Sequence, residues 1–288
     1  MSSKVIAVSG ATGQQGGSVA RELKKKGYKV RALTRNADSS AARVLAESGA
    51  EVVKTEFSNP VSLESVLTGV DAFFLVTSPF EAGPEAETVQ GTAAVKAAVK
   101  AGVPYLVFSS ACDAENNTGV PHFDSKYEIE KVLSSSGIPF SIIAPAYFYE
   151  NMLSPFTLPG IKDGVFAQAM PEERKLQMVS LRTIGSVAAL ALTDRGRFEG
   201  KRINLSGDEL SGKEVTKILG DAKGKPISYS EIPLDAVMSQ SEDMGLMYKW
   251  FAEIGYSTDI KSLKSAYPEA DWLSFKDWAE SVDWAAVF

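Results

Sequence analysis

Short apolar segments alternate with amphipathic segments along the first 145 residues of the chain. The apolar segments are nearly continuous, which is typical of parallel strands covered on both faces. They predict strands at residues 5–9, 28–33, 51–54, 72–76, 105–108 and 140–144. The stretches 18–26 and 85–101 carry apolar residues at helical spacing, and Gly27 and Gly102 follow them. Repeated strand–helix–strand units predict an α/β fold with a doubly wound parallel sheet.

The alternation ends after Pro145. Residues 147–181 are rich in aromatic residues, Pro and Gly and show no clear period, whereas 183–193 and 211–222 predict helices and 202–205 predicts a strand. A chain of 288 residues is long for one domain and short for two full ones. We therefore expect a first domain at about residues 1–150, to which later segments partly return, and a smaller C-terminal α+β lid domain at 151–288.

Three glycines directly follow the first predicted strand. In the pattern Gly10-x-x-Gly13-x-x-Gly16, the first glycine permits a tight turn, the second lets backbone N–H groups approach a diphosphate, and the third lets a helix pack against the sheet. The start of a helix favours an anion because its first N–H groups are unpaired. A glycine-rich turn without a ligand is the alternative, but the strand–turn–helix context favours a Rossmann dinucleotide site.

Arg35 follows the second predicted strand, where folds that prefer NAD carry an acidic residue. A guanidinium offers a planar fork to a phosphate group. Arg35 therefore predicts NADP(H) as the cofactor, with the 2'-phosphate of its adenosine ribose at this side chain. The alternative is an ordinary surface arginine.

Charge and composition exclude several other classes of function. The net charge of −6 argues against binding to nucleic acid or to an anionic membrane surface. One histidine and one cysteine leave no plausible metal cluster and no intramolecular disulfide. We find no apolar stretch long enough to span a membrane and no secretory signal pattern, so we expect a cytoplasmic protein.

Four segments in order resemble the NmrA-like family, an atypical branch of the short-chain dehydrogenase/reductases. They are residues 10–17 (GATGQQGG), 33–36 (LTRN), 122–126 (HFDSK) and 145–151 (PAYFYEN). The resemblance implies that Thr12, Gln14 and Gln15 join the glycines at the diphosphate. It also implies adenine contacts by Glu56 and Phe57, and further cofactor contacts by Thr77, Ser78, Ser109, Lys126, Tyr147 and Phe148. Lys126 matches the lysine that holds the nicotinamide ribose.

The chain departs from the ordinary Tyr-x-x-x-Lys pattern of short-chain dehydrogenases. His122 stands four residues before Lys126, where the proton-donating tyrosine would be. The histidine is a candidate proton donor, because imidazole side chains commonly act as general acids in catalysis. Ser125 and Glu128, however, read as a capping box that starts the helix after His122, which weakens the spacing argument. Tyr147 is an alternative donor, and catalytic roles are predicted for Lys126, His122 and Tyr147.

Two functions fit these residues. The first is an NADPH-dependent oxidoreductase acting on a small, largely apolar carbonyl, quinone or enone, with apolar walls from Phe80, Phe123, Tyr147, Phe148, Met152 and Phe156. The second is an NADP(H)-binding, redox-sensing regulator that acts through a protein partner with little or no turnover. The sequence favours the enzyme by a narrow margin, and a homodimer fits either function.

Overall fold

The computed structural model describes residues 4–287, which fall into two compact units. The first unit contains the chain up to Asn117 together with Pro121–Ala144 and Ile184–Ile203. The second contains Thr118–Val120, Pro145–Thr183 and the chain from Asn204 onward. Apart from Thr118–Val120, the second unit thus begins at Pro145, slightly before the predicted boundary, and the segment 184–203 belongs to the first unit.

The main sheet has seven strands within the described residues. The strands are β1 (Val5–Val8), β2 (Lys29–Thr34), β3 (Glu51–Lys54), β4 (Ala72–Val76), β5 (Leu106–Ser109), β6 (Phe140–Pro145) and β10 (Arg202–Leu205). Only the last residue of β6 and the last two residues of β10 fall outside the first unit. The strand order is β10-β6-β5-β4-β1-β2-β3, and neighbouring strands from β3 to β6 are parallel. Because successive strands are joined by helical crossovers, their carboxyl ends meet along one edge. The predicted doubly wound parallel sheet is confirmed.

Helices connect these strands and bury their apolar stripes. They are α1 (Gln14–Lys25), α2 (Ser40–Glu47), α3 (Pro60–Leu67), α4 (Pro84–Lys100), α5 (Pro121–Ser135), α7 (Leu181–Thr193) and α8 (Arg195–Phe198). Gly27 and Gly102, at φ +83° and +68°, follow α1 and α4 in a conformation that favours glycine. The core joins Phe73 and Phe108 of the sheet to Ala98 of α4 and Ile129 of α5, all nearly inaccessible to solvent.

Two predicted helix starts are wrong. Helix α1 begins at Gln14 and not at residue 18, so its first turns include Gly16 and Gly17. Helix α5 begins at Pro121, before His122, so Ser125 does not cap it. Proline suits a first helical turn, since its φ is already helical and its missing N–H is not needed there.

The second unit contains two small sheets and short helices within the described residues. One sheet has the order β11-β9-β7 and the other pairs β12 with β8. The strands are β7 (Tyr147–Phe148), β8 (Val165–Gln168), β9 (Lys175–Val179), β11 (Asp208–Ser211) and β12 (Ser228–Glu231). The helices are a 3-10 turn (Tyr149–Leu153), α6 (Leu158–Lys162), α9 (Gly212–Lys223), α10 (Leu234–Gln240), α11 (Glu242–Glu253), α12 (Ile260–Ala266), α13 (Phe275–Ser281) and α14 (Trp284–Val287).

Candidate functional site

The glycine loop forms a tight turn between β1 and α1. Gly10 has φ +57°, and its carbonyl oxygen accepts a hydrogen bond of 2.8 Å from the Gly13 N–H. A Cβ on Gly16 would lie 2.4 Å from the carbonyl oxygens of both Gly10 and Ser9, so no side chain fits there. Helix α1 has no side-chain cap and no acidic residue in its first turn. The N–H groups at its start can therefore take an anion.

Polar side chains tie this loop to the carboxyl ends of neighbouring strands. The hydroxyl oxygens of Thr12 and Thr34 lie 3.3 Å apart, at the loop and at the end of β2. At the end of β5, the Ser109 hydroxyl donates a 2.6 Å hydrogen bond to Gln15 Oε1. Thr12, Gln15 and Ser109, which were predicted from different segments, therefore lie at one edge of the sheet.

Arg35 continues beyond β2 and forms a bidentate pair with Glu81, which follows β4. The Arg35 guanidinium donates to both carboxylate oxygens of Glu81, with Nη2 to Oε1 at 2.7 Å. The two side chains are 66% and 56% exposed, so solvent and salt screen their attraction. This hydrogen bonding raises the pKa of Arg35 and lowers that of Glu81. Arg35 thus already holds an anionic group in a forked geometry.

A second ion pair, between Lys126 and Glu87, is buried. Lys126 Nζ donates to Glu87 Oε1 at 2.7 Å, and their side chains are 10% and 0% exposed. Glu87 also accepts hydrogen bonds from Thr77 Oγ1 at 2.7 Å and Ser125 Oγ at 2.5 Å. The Thr77 carbonyl oxygen accepts from Lys126 Nζ at 3.3 Å. These bonds fix the ammonium group of α5 beside the segment that follows β4.

Sequence reasoning missed Glu87. It lies on α4 with Gly91, Ala94 and Ala98, all buried and spaced as one helical stripe. An acidic residue on an otherwise apolar stripe is seldom buried without a partner. That pattern was the available signal, although it could not identify Lys126 as the partner.

His122 lies one helical turn before Lys126 on α5, so the two residues share a face. Its ring is 5.7 Å from that of Phe80 and 4.7 Å from that of Phe123, and the residue is 6% exposed. The predicted capping box is wrong, because the Ser125 hydroxyl donates to Glu87 and to the His122 carbonyl oxygen inside a continuous helix. The spacing that makes His122 a candidate donor is therefore present.

The other predicted contacts of the first unit lie at strand ends. Glu56 is exposed after β3, and its charge helps to raise the pKa of Arg35. Phe57 packs partly into the core, while Ser78 is exposed after β4. These positions are compatible with the predicted roles, which remain predictions.

Tyr147 and Phe148 form β7 in the second unit, and both are partly exposed. Burial of its hydroxyl raises the pKa of Tyr147, and the polar side chains of Gln168, Tyr248 and Asn151 partly offset this effect. The neighbouring Tyr149 is fully buried and donates a 3.2 Å hydrogen bond to Asp208. Of these two tyrosines, only Tyr147 keeps part of its surface exposed, although its hydroxyl group is buried.

The model of the NmrA-like family matches residues 2–281 of the chain. The chain belongs to the NmrA-like family. This confirms the resemblance carried by the four segments, and it applies to both units.

Several proteins with similar sequences are named as reductases. The chain is 34% identical to a (4-alkanoyl-5-oxo-2,5-dihydrofuran-3-yl)methyl phosphate reductase of Streptomyces griseus, over 81% of this chain and 78% of that protein. It is 30% identical to an NAD(P)H azoreductase of Xenophilus azovorans, over 84% and 82% of the two chains. The crystal structure of quinone oxidoreductase 2 of Escherichia coli, complexed with NADPH, is 25% identical, with a TM-score of 0.81 over 95% and 98%.

Within residues 4–287, no group of three or more His, Cys, Asp and Glu side chains is arranged to hold a metal ion. Across that same range, no helix is both long and apolar enough to cross a membrane.

Proposed function

We propose that this protein is an NADPH-dependent oxidoreductase that transfers a hydride to a small, largely apolar carbonyl, quinone or enone. The observation that carries the proposal is the uncapped start of α1 in the tight glycine turn of Gly10, Gly13 and Gly16. Arg35 follows the end of the adjacent strand β2. Reductase names among relatives that are at least 30% identical support redox chemistry over a purely sensory role.

The cofactor fits the residues present. Because a side chain at Gly16 would collide with the carbonyl oxygens of Ser9 and Gly10, only glycine lets helix α1 start this close to the turn. The N–H groups at the start of α1 then supply hydrogen-bond donors for a diphosphate. Arg35 would exchange the Glu81 carboxylate for a 2'-phosphate, since both are forked acceptors. Further contacts come from Thr12, Gln14, Gln15, Glu56, Phe57, Thr77, Ser78, Ser109, Lys126, Tyr147 and Phe148, as the family resemblance implies.

The reduced nicotinamide supplies the hydride, so the protein must position the acceptor and provide a proton. Lys126 is held rigidly by Glu87 and Thr77, which suits it to hold a ribose hydroxyl and to stabilise developing negative charge. His122 shares its helix face, and Tyr147 offers a phenol in the second unit. These are the two candidate proton donors.

Turnover measurements test the proposal directly. We expect NADPH to be oxidised by at least one acceptor from a panel of quinones, aldehydes and enones. The loss of NADPH absorbance measures this reaction. Tight NADPH binding without turnover of any acceptor would refute the enzyme and favour the redox-sensing regulator. Absence of both NADPH and NADH binding in calorimetry would refute the dinucleotide site as well.

The proton donor is tested with His122→Ala and Tyr147→Phe. The variant that removes the donor should lower kcat by about a hundredfold or more and leave NADPH affinity unchanged. An unchanged rate in both variants would exclude these two side chains. Phe123→Leu, which alters the ring packed on His122 without removing a proton donor, is the matched control.

A further inference from the structure

Residues 78–83 lie between β4 and α4, and we call them the β4–α4 connection. Directly before it, Thr77 donates to Glu87 through its hydroxyl group and accepts from Lys126 through its carbonyl oxygen. At its end, the Gly83 carbonyl oxygen accepts a hydrogen bond of 3.1 Å from the Glu87 N–H in the first turn of α4. Both ends of the connection are therefore fixed at the buried Glu87.

The middle of the β4–α4 connection is held more weakly than its ends. Its exposed residues are Ser78, Phe80, Glu81 and Ala82. The Gly83 N–H donates a hydrogen bond of 2.8 Å to the Pro79 carbonyl oxygen, so the connection contains one closed turn. Among the described residues, the side-chain hydrogen bonds of this turn are those of Glu81 with Arg35. Because Phe80 and Glu81 are neighbours in one turn, a backbone movement at either residue moves the other.

Phe80 and Glu81 contact two different parts of the candidate site. The Arg35 guanidinium donates to both carboxylate oxygens of Glu81. The Phe80 ring lies 5.7 Å from the His122 ring at an interplanar angle of 49°, although Phe80 itself is 73% exposed. Aromatic rings whose centres are about 4.5–7 Å apart attract each other weakly. The connection therefore joins the predicted 2'-phosphate site to a candidate proton donor.

Arg35 and His122 come from strands that are not neighbours. Arg35 follows β2, and His122 lies on α5, which follows β5. In the sheet, β4 and β1 separate β5 from β2, so the ends of these two strands lie three spacings apart, about 14 Å. The β4–α4 connection bridges this distance with two adjacent side chains. A ligand at Arg35 can thus influence His122 through Glu81 and Phe80 without touching the histidine.

A 2'-phosphate and the Glu81 carboxylate compete for Arg35, because both are anionic acceptors that fit a guanidinium fork. Two anions at one guanidinium also repel each other. Since the Glu81 side chain is 56% exposed, it can turn into solvent at little cost. NADH lacks the 2'-phosphate and leaves the pair of Arg35 and Glu81 in place. The two cofactors therefore act differently on the β4–α4 connection.

We infer that Phe80 is a positioning residue for His122 and that the anion bound at Arg35 sets its position. While Glu81 occupies Arg35, the Phe80 ring packs on the imidazole ring. A 2'-phosphate at Arg35 releases Glu81, the turn shifts, and Phe80 separates from His122, which opens that face of the histidine to an acceptor. This inference rests on the proposed function, because it requires the 2'-phosphate at Arg35. It adds that NADPH and NADH leave His122 in different surroundings.

NMR spectroscopy can follow His122 directly, because it is the one histidine of the chain. The probes are adenosine 2',5'-bisphosphate, which carries the 2'-phosphate and no nicotinamide, and 5'-AMP, which lacks the 2'-phosphate. The bisphosphate should shift the imidazole Cε1–H resonance of 13C-histidine-labelled protein, whereas 5'-AMP should not. Glu81→Gln should shift it in the same direction without any ligand, and the control Glu85→Gln should not.

Two results of this titration would overturn the inference, and they are distinguishable. If the bisphosphate binds and leaves the His122 resonance unchanged, the coupling is absent and the proposed function stands. If the bisphosphate does not bind at all, the 2'-phosphate site of the proposed function is refuted together with the inference.

Phe80→Leu tests the same coupling from the other end. If binding at Arg35 separates Phe80 from His122, a variant without the ring avoids that cost. It should bind adenosine 2',5'-bisphosphate about two- to tenfold tighter, which corresponds to one aromatic pair, with 5'-AMP affinity unchanged in calorimetry. The exposed position makes a loss of folding unlikely to interfere, and an unchanged melting temperature checks this. Unchanged bisphosphate affinity, or an equal change for 5'-AMP, would overturn the inference.

Discussion

Two ion pairs of the first unit, Arg35 with Glu81 and Lys126 with Glu87, place similar groups in opposite environments. Glu81 and Glu87 both follow β4, and each joins a cationic side chain from another segment. Glu87 is fully buried and accepts from Lys126, Thr77 and Ser125, so its geometry is fixed. Glu81 and Arg35 are each more than half exposed, where an ion pair contributes about 0–1 kcal/mol. The buried pair sets a position, whereas the exposed pair can exchange its anion.

The largest effect should come from breaking the buried pair. Glu87→Gln leaves the Lys126 ammonium buried without a counter-charge, so we expect a loss of about 3–5 kcal/mol in the free energy of unfolding. Urea denaturation measures it. Glu85→Gln, an exposed residue in the same first turn of α4, is the control and should cost no more than about 1 kcal/mol.

A double variant sharpens this result. Glu87→Leu combined with Lys126→Met replaces both charges with apolar side chains. The free energy of unfolding of this double variant should lie within about 1 kcal/mol of that of the wild type. If Lys126 holds the cofactor, NADPH turnover should still be lost. Wild-type turnover in a folded double variant would contradict the role of Lys126.

Charge reversal at the exposed pair should mainly affect cofactor choice. Arg35→Glu removes a forked donor and adds a repulsive charge, so NADPH affinity should fall at least tenfold more than NADH affinity, or about 1.4 kcal/mol. Fluorescence titration with each dinucleotide provides the comparison. Equal losses for NADPH and NADH would contradict the 2'-phosphate assignment.

The smallest effect should come from releasing Arg35. Glu81→Gln removes the competing anion, so NADPH should bind about two- to fivefold tighter, with NADH affinity unchanged and stability within about 0.5 kcal/mol of wild type. Glu85→Gln again serves as the control. Weaker NADPH binding in Glu81→Gln would mean that Glu81 orients Arg35 instead of competing for it.

What could be predicted from the sequence was local. The strands and the turn at Gly10 follow from apolar runs and from glycine spacing over a few residues, and the structure places both as expected. The partners of Arg35 and Lys126 could not be found in this way, because Glu81 and Glu87 are distant in sequence and come near through the sheet. The predicted start of α5 was wrong because Ser125 and Glu128 match the common capping-box pattern. In the folded chain, the buried Ser125 hydroxyl donates to Glu87 instead.

The second unit was harder to predict for a related reason. Residues 147–181 have no simple period because they form strands of only two to five residues, separated by short helices and loops. Short elements carry too few positions to show a repeat. Gln168 and Tyr248 therefore gave no signal, although Tyr147 was identified through the family resemblance.

The late strand β10 affects how the protein must be synthesised. The sheet ends with β10 beside β6, yet the residues of β10 follow the whole segment 145–183. A nascent chain that has emerged only as far as Ala144 already carries Gly10, Arg35 and Lys126, but it exposes β6 as an open edge. Such edges recruit strands from other chains. Until the ribosome has released Leu205, this part of the protein is therefore vulnerable to mispairing, and chains truncated between Pro145 and Leu205 should aggregate.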